Sequence, residues 1–198
     1  NSGSISLPSN SLPCTGGIGN GIGNIAYDRD HHQMFATNLE DGRIYRINLT
    51  TNQILSSYDP FGIDPGTAGI VNPVERLWGI GINKDPAGNK RVYFAREPVG
   101  NSPHEIWSIP LDISGEFVGV NAGNVYYGSE NFEVFIPNSN INITSIYHNK
   151  ITDLAFSSDG LLMLTAERGN PNLASTYQYK TGSFVQIRRI PTGGSIGF

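Results

Sequence analysis

The stretch Asn24-Ile25-Ala26-Tyr27-Asp28 returns twice in this chain in altered form, and its recurrence decides the fold. The second copy reads Gly79-Ile80-Gly81-Ile82-Asn83, and the third reads Asp153-Leu154-Ala155-Phe156-Ser157. Each copy is short and leads into a turn that contains an aspartate two residues later. Short apolar segments between turn signals are typical of antiparallel strands. Their regular return predicts a repeat architecture built from strands.

Three further apolar segments follow each copy, so each repeat predicts four strands. The predicted later strands are 34–38, 43–47 and 53–58 in the first repeat, 92–97, 105–109 and 116–120 in the second, and 162–167, 175–179 and 183–187 in the third. Four antiparallel strands per repeat are typical of a β-propeller blade. The sequence therefore predicts an all-β chain of about three blades. The blades are expected at approximately residues 20–62, 76–136 and 151–190.

The middle of each predicted third strand carries a large aromatic side chain, at Tyr45, Trp107 and Tyr177. A single blade cannot cover both of its faces, so neighbouring blades pack face to face. We expect these three aromatic residues to fill the interfaces between blades. The start of the chain is rich in Ser and Pro, and we expect residues 1–16 to form a flexible arm and 17–198 to form the partial propeller.

Three blades are fewer than the roughly four to eight of a closed propeller. An open stack of blades leaves apolar faces and strand edges exposed. We therefore expect either further blades from a longer chain or self-association with a second chain, and two copies would give about six blades. A β-sandwich is the alternative fold, but a sandwich does not predict the regular return of one four-stranded unit.

Composition and charge exclude some classes of protein. The 13 Lys and Arg residues and 17 Asp and Glu residues give a net charge of −4, whereas a nucleic-acid-binding surface needs a clustered basic face. No apolar run approaches the roughly 18 residues of a membrane-spanning helix, so we expect no membrane insertion. The single cysteine, Cys14, provides no intrachain disulfide. Few lysines and many Asn, Ser and Gly residues favour an extracellular or cell-surface location.

Several segments resemble propeller blades of the NHL/YVTN type. They are residues 23–28, 34–38 and 40–47 of the first repeat. Together with 75–79 and 151–160, these segments are similar to propeller segments of large secreted bacterial surface proteins of the adhesin kind. The resemblance covers roughly residues 17–190 and implies a recognition or scaffolding module. Because propellers host many unrelated functions, the resemblance specifies the fold better than an activity.

A group of aromatic residues in and after the second repeat is a candidate binding patch. It consists of Trp107, Tyr126, Tyr127, Phe132 and Tyr147. Aromatic rings on the loops of a rigid scaffold stack on sugars or pack against a partner protein. We therefore expect a protein or glycan partner. The alternative interpretation is that these rings pack the inserted segment onto its own blade.

Polar residues at matching ends of the predicted strands form a second candidate site. Asn24 and Asp153 begin the first strands of two blades, and Asn38, Glu97 and Glu167 end the second strands. These positions resemble those of lactonase-like propellers of the regucalcin type, in which such residues hold a divalent cation that polarises a carbonyl and activates water. Carboxylate and amide oxygens suit Ca²⁺ or Mg²⁺. The alternative interpretation is that these side chains form ordinary hydrogen bonds at strand ends.

The turn Asp28-Arg29-Asp30-His31-His32 brings two carboxylates and two imidazoles together, a composition that suits a metal ion. The corresponding turns of the other repeats carry Asp85 and Asp159 after a polar residue. A turn stabilised by hydrogen bonds from side chain to backbone requires this pattern. Its presence in every repeat favours a structural role.

These observations favour a non-enzymatic extracellular module that binds or assembles through its blades and loops, with no cofactor and no catalytic residues. The alternative function is a metal-dependent, lactonase-like hydrolase with a divalent cation in the propeller channel. A lyase on the same scaffold is a third hypothesis.

Overall fold

A computed structural model describes residues 4–7, 21–61, 75–85, 87–96, 102–136, 150–168, 173–180 and 183–191 of the chain. This part of the chain contains fourteen β-strands in three sheets. The predicted all-β fold of antiparallel blades is therefore confirmed. Within the described residues, no helix has the length and apolar character needed to cross a membrane.

Each sheet contains one four-stranded antiparallel blade. The first blade consists of β1 (Ile22–Asp28), β2 (Gln33–Asn38), β3 (Ile44–Asn48) and β4 (Gln53–Tyr58). The second consists of β5 (Leu77–Lys84), β6 (Lys90–Arg96), β7 (His104–Pro110) and β10 (Asn131–Ile136). The third consists of β11 (Lys150–Phe156), β12 (Leu162–Arg168), β13 (Leu173–Lys180) and β14 (Ser183–Pro191).

The fourth strand of the second blade is not the one that the sequence predicts. That strand is β10, which pairs with β7, so the prediction of residues 116–120 is wrong. The reason is a tight turn after β7, in which Asp112 Oδ1 accepts the backbone N–H groups of Ser114 at 2.8 Å and Glu116 at 2.9 Å. After the turn, Phe117 bridges Leu111 just beyond the end of β7 and does not extend the sheet as a fourth strand. The chain then joins the first blade, where β9 (Val125–Tyr127) pairs parallel with β4 and β8 (Val120–Ala122) pairs with β9.

The first strands of the three blades lie side by side at the centre of the molecule, because β5 packs against both β1 and β11. Each of these inner strands is irregular near its start. The irregularities lie between Ile22 and Ile25, between Leu77 and Ile80, and between Ile151 and Asp153. Glycine permits the close approach of the backbones. A Cβ atom on Gly23 would lie 2.5 Å from the carbonyl oxygen of Leu77, and one on Gly79 would lie 2.9 Å from that of Ile151.

Every blade has two faces, which we name by direction. The forward face is turned toward the next blade in the sequence, and the backward face is turned toward the preceding blade. One buried cluster fills the interface between the first and second blades, and it includes Phe35, Ile44, Tyr58, Val92, Phe94 and Ile109. A second cluster fills the interface between the second and third blades, and it includes Tyr93, Ile106, Ile151, Leu154, Met163 and Tyr177. The two interfaces therefore contain the two larger buried clusters of the described residues.

The aromatic residues of the third strands occupy the backward faces. Trp107 packs against the first interface and Tyr177 is buried in the second, as the sequence predicts. Tyr45 occupies the same position on the backward face of the first blade, where it belongs to a third buried cluster. Ile5 and Leu7 of the N-terminal segment pack against that cluster. Residues 4–7 therefore cover part of the backward face of the first blade.

Candidate functional site

Four aromatic side chains form a continuous series that begins at the interface between the first and second blades. Phe61 lies 4.9 Å from Trp107, Trp107 lies 5.4 Å from Phe132, and Phe132 lies 4.5 Å from Phe135, measured between ring centroids. We call Phe61, Trp107, Phe132 and Phe135 the aromatic ladder. Contacts between its rings are edge-on or tilted, which is the arrangement that aromatic quadrupoles favour.

A β-bulge in β10 determines the position of Phe132 and Phe135, the exposed end of the ladder. Residues three apart in a regular strand lie on opposite faces, because side chains alternate. The register of β10 shifts between Phe132 and Val134, so Phe132 lies opposite Trp107 and Phe135 lies opposite Glu105 on the same face of the sheet. Bulges commonly redirect side chains near functional sites. Phe132 is 43% exposed and Phe135 is 52% exposed, so this end of the ladder faces solvent.

The other end of the ladder is held in a strained conformation. Phe61 has a backbone φ of 73°, a left-handed conformation that bulky side chains rarely adopt. Such strain costs on the order of 1–3 kcal/mol and persists only where surrounding contacts enforce it. Here the ring of Phe61 packs against Phe94 at 6.0 Å and Trp107 at 4.9 Å. The guanidinium of Arg96 lies 4.1 Å from its centroid.

Glu105 connects the charged and aromatic groups beneath the ladder. Its Oε2 atom accepts the indole N–H of Trp107 at 2.9 Å and a hydrogen bond from Nη1 of Arg96 at 3.1 Å. Arg96 in turn stacks on Phe61. One carboxylate thus fixes the orientation of Trp107 and, through Arg96, of Phe61. The ladder is a preorganised apolar surface in which the polar groups already bind one another.

The structure brings together only part of the aromatic patch that the sequence predicts. Trp107 and Phe132 are in direct contact. Tyr126 instead packs against the core of the first interface, with its ring 6.1 Å from that of Phe117. Tyr127 is half-buried in β9, where it pairs with Val120. Tyr147 lies outside the described residues.

Sequence reasoning missed four residues of this site, namely Phe61, Phe135, Arg96 and Glu105. Phe135 could have been found only by anticipating the bulge in β10. The alternation of Glu105 and Trp107 on one strand was a usable signal, because residues two apart share a face. Phe61 lies just after β4 and carried no periodic signal.

The candidate metal ligands at the inner strands are partly brought together. The amide nitrogen of Asn24 donates to the backbone carbonyl of Thr152 at 2.8 Å and to Oδ1 of Asp153 at 3.2 Å. The Asn24 side-chain oxygen accepts the N–H of Ile25 at 2.7 Å. These atoms join the first blade directly to the third. The two polar side-chain atoms of Asn24 and Oδ1 of Asp153 are therefore all hydrogen-bonded within the protein.

The remaining candidate metal ligands are not placed beside Asn24 and Asp153: Asn38 lies at another turn, and the side chains of Glu97 and Glu167 lie outside the described part of the chain. Asn38 is 2% exposed, and its side-chain oxygen accepts the N–H of Glu40 at 3.1 Å in the turn after β2. Glu167 pairs with Ile151 through the backbone of β12, and its side chain lies outside the described part of the chain. Glu97 is also outside it. Among the residues that the structure does describe, no three His, Cys, Asp or Glu side chains form a group that could hold a metal ion.

The acidic and histidine-rich turn after β1 forms an ion-pair network. Asp28, which is 2% exposed, accepts hydrogen bonds from Lys90 at 2.7 Å, His31 at 2.7 Å and Gln33 at 2.9 Å. Burial opposes ionisation of Asp28, but these hydrogen bonds outweigh it and hold the pKa of the carboxyl below its usual range. Lys90 also binds Asp30 at 2.8 Å. The network links the first two blades. Asp28 Oδ1 also accepts the backbone N–H of Asp30 at 3.1 Å, a bond of the side-chain-to-backbone kind that the sequence pattern predicts for this turn.

Comparison with known proteins supports the fold. No family model and no curated protein sequence matches the chain. A solved structure from Bacteroides uniformis, provisionally assigned as a 6-phosphogluconolactonase, is similar with 14% identity and a TM-score of 0.50 over 87% of this chain and 42% of that one. A Bacteroides fragilis protein with the same provisional assignment has 13% identity and a TM-score of 0.49 over 87% and 40%.

The β-propeller domain of Cps50 (Swd1) from Myceliophteria thermophila is also similar, with 14% identity and a TM-score of 0.45 over 87% of this chain and 44% of that one. The chain therefore spans 40–44% of the length of these three structures. Identities in this range show the fold alone. The chain is a partial β-propeller.

Proposed function

We propose that the chain is a non-enzymatic binding module that recognises a protein partner through the exposed end of the aromatic ladder. The observation that carries this proposal is the solvent exposure of Phe132 and Phe135 at the end of a fixed series of rings. Protein interfaces are enriched in aromatic anchors at their centres. A preorganised surface also lowers the entropy cost of binding.

The chemistry of the ladder favours a protein over a glycan. Glycan binding requires polar side chains that can hydrogen-bond to hydroxyl groups beside the stacking ring. The polar groups next to the ladder, Arg96 and Glu105, bind each other and Trp107 instead. The exposed rings are phenylalanines, which have no polar atom of their own. An apolar side chain of an extended peptide is the ligand that this surface fits best.

The proposal is tested by selecting peptides from a random phage-displayed library on the full chain. We expect the selected peptides to contain aromatic or aliphatic residues and to quench Trp107 fluorescence in a Trp78→Phe variant, in which Trp107 is the remaining tryptophan. The double substitution Phe132→Ser with Phe135→Ser removes the exposed rings and is expected to weaken binding more than about tenfold, which is about 1.4 kcal/mol. Ile113→Ser is the matched control, because Ile113 is 99% exposed on a different loop.

Two outcomes would contradict the proposal. One is a set of selected peptides whose affinity is the same for the double variant and the parent chain. The other is binding on a glycan array that depends on Phe132 and Phe135 in the absence of any peptide binding. The latter result would assign the ladder to a sugar ligand.

A metal-dependent, lactonase-like hydrolase is the second candidate function. Two observations favour it, namely the meeting of Asn24 and Asp153 near the centre of the blades and the fold shared with the Bacteroides uniformis structure. The substrate would then be a phosphorylated sugar lactone and the cation Ca²⁺ or Mg²⁺. Calorimetric titration with each cation tests this function. Saturable binding that Asp153→Asn abolishes would support it, and the absence of binding would reject it.

We further propose that the module acts outside the cell or on its surface, as its sparse lysines and the resemblance to NHL/YVTN blades of adhesin-like proteins suggest. Secretion in the native host, followed by fractionation, tests this location.

A further inference from the structure

The two interfaces between blades follow one packing rule. In both, the inner strand of the later blade lies on the first two strands of the earlier one, since β5 contacts β1 and β2, and β11 contacts β5 and β6. The forward face of each earlier blade meets the backward face of the next. Because the rule is repeated within one chain, it describes how a further blade of this type would pack.

At each interface, the first strand of the earlier blade carries a small residue where the next blade packs against it. On the forward face of β1 this residue is Ala26, which packs against the core of the first interface. On β5 it is Gly81, where an added Cβ would lie 2.8 Å from the ring of Phe156 and 3.2 Å from the side chain of Leu154. Ala155 holds the same repeat position on β11, and it is exposed. The third blade therefore has a small residue at the position where the other two blades contact the next blade, but this residue is exposed.

Large apolar residues surround that position. Ala155 pairs with Leu164 across β11 and β12, so the two side chains share the forward face. Leu164 is 45% exposed and Leu162 on the same face is 39% exposed. Exposed apolar residues that lie next to one another commonly mark an interaction surface.

The backward face of the first blade offers the matching surface. Ile25 and Tyr27 of β1 hold the repeat positions of Leu154 and Phe156, the residues that fill the space beside Gly81. Ile25 is 52% exposed and Tyr27 is 55% exposed. Residues 4–7 cover the cluster around Tyr45 on this face, while these two β1 side chains remain open.

We propose that two copies of this chain associate so that β11 and β12 of each copy pack on β1 of the other. Ala155, Leu162 and Leu164 of one copy then meet Ile25 and Tyr27 of its partner by the rule that joins the blades within the chain. The chain spans 42% of the Bacteroides uniformis structure, so a ring of that fold has room for a second set of three blades. Two identical contacts close the dimer.

The oligomeric state of the full chain tests this proposal. Size-exclusion chromatography with light scattering is run from low to high micromolar concentration. We expect a mass that reaches twice the 21.5 kDa of the chain. Leu164→Glu would place a carboxylate in the apolar contact and is expected to raise the dissociation constant at least about a hundredfold. Ile113→Glu, at a residue that is 99% exposed, is the control and leaves the mass unchanged.

A charge exchange separates this contact from non-specific association. Tyr27→Lys alone is expected to weaken the dimer as Leu164→Glu does. Within the chain, Phe156 and Tyr93 hold the repeat positions of Tyr27 and Leu164, and their ring centroids lie 4.7 Å apart. Combining both substitutions in one chain places opposite charges across each contact and restores part of the affinity. Circular dichroism confirms that each variant is folded. A single-chain mass at all concentrations would overturn the proposal, as would a dimer that neither substitution weakens.

Discussion

Replacing Gly23 by alanine tests whether close backbone approach holds the first two blades together. The added Cβ would lie 2.5 Å from the carbonyl oxygen of Leu77, 2.7 Å from Oγ1 of Thr37 and 2.9 Å from the carbonyl oxygen of Trp78. Cβ atoms essentially never come within 3.0 Å of such atoms. Two of the three neighbours are backbone atoms that cannot rotate away. The inner strands must therefore separate.

The magnitude follows from the contacts that would be lost. Overpacking of a filled interface costs about 1–3 kcal/mol. Separation of the strands also breaks the hydrogen bond from Thr37 to the carbonyl of Trp78, now 3.0 Å long, and the bond from the Asn24 N–H to Thr37 at 2.9 Å. Each is worth roughly 1 kcal/mol. We expect Gly23→Ala to lower the free energy of unfolding by about 3–5 kcal/mol.

Urea unfolding followed by circular dichroism measures this change. Gly123→Ala is the matched comparison, because Gly123 has a φ of 65° but no atom within 4 Å of a built Cβ. That variant carries backbone strain of about 1–2 kcal/mol without a clash. A loss for Gly23→Ala no greater than the loss for Gly123→Ala would refute the packing argument.

Three further predictions concern the polar contacts between elements. Asp28→Asn removes the charge that binds Lys90 and is expected to cost roughly 1.5–3 kcal/mol at pH 7. Because the pKa of Asp28 is held below the usual 3.8 in the folded chain, its stabilisation is present above that value and is lost as the pH falls through the folded pKa. Urea unfolding at pH 7 and pH 3 should therefore show the difference between variant and parent shrinking in acid, and a constant difference would contradict it. Tyr58→Phe removes a hydroxyl that donates to Glu130 at 2.7 Å and accepts the Ser129 N–H at 2.7 Å. We expect a loss of about 1–3 kcal/mol and faster hydrogen exchange in β8 and β9, whereas unchanged exchange there would exclude this role. Glu105→Gln weakens the ion pair with Arg96 at 3.1 Å and is expected to shift the emission of Trp107, measured in a Trp78→Phe background because the chain has two tryptophans. Glu75→Gln in the same background is the comparison variant, and identical spectra would show that Glu105 does not orient the indole.

The repeat positions made most of the fold predictable from the sequence. The equivalence of Ala26, Gly81 and Ala155 follows from aligning the three copies, and it correctly places the inner strands. The strand pairing of residues 116–127 could not be predicted in the same way. A turn fixed by Asp112 diverts the chain to the edge of another blade, and local propensity contains no information about which sheet edge is free.

The candidate site was less predictable than the fold. Trp107 and Phe132 were found because aromatic residues cluster in that segment, and they are in contact. Phe135 was missed because regular alternation of side chains would put Phe132 and Phe135 on different faces of the sheet. The bulge in β10 puts them on the same face. The turn around Asp28 shows the reverse case. Its metal-like composition is explained by Lys90, which lies 62 residues away in sequence and enters only through tertiary packing.

The hydrogen bonds of Asn24 have a consequence for how the chain unfolds. In a linear array of repeats, stability is a sum of nearest-neighbour terms, so the ends of the array can fray independently. Asn24 instead joins the first repeat to Thr152 of the third, 128 residues later in the chain. Opening either terminal repeat therefore breaks a contact of the other. This coupling between the ends favours a single cooperative transition over stepwise melting from the termini.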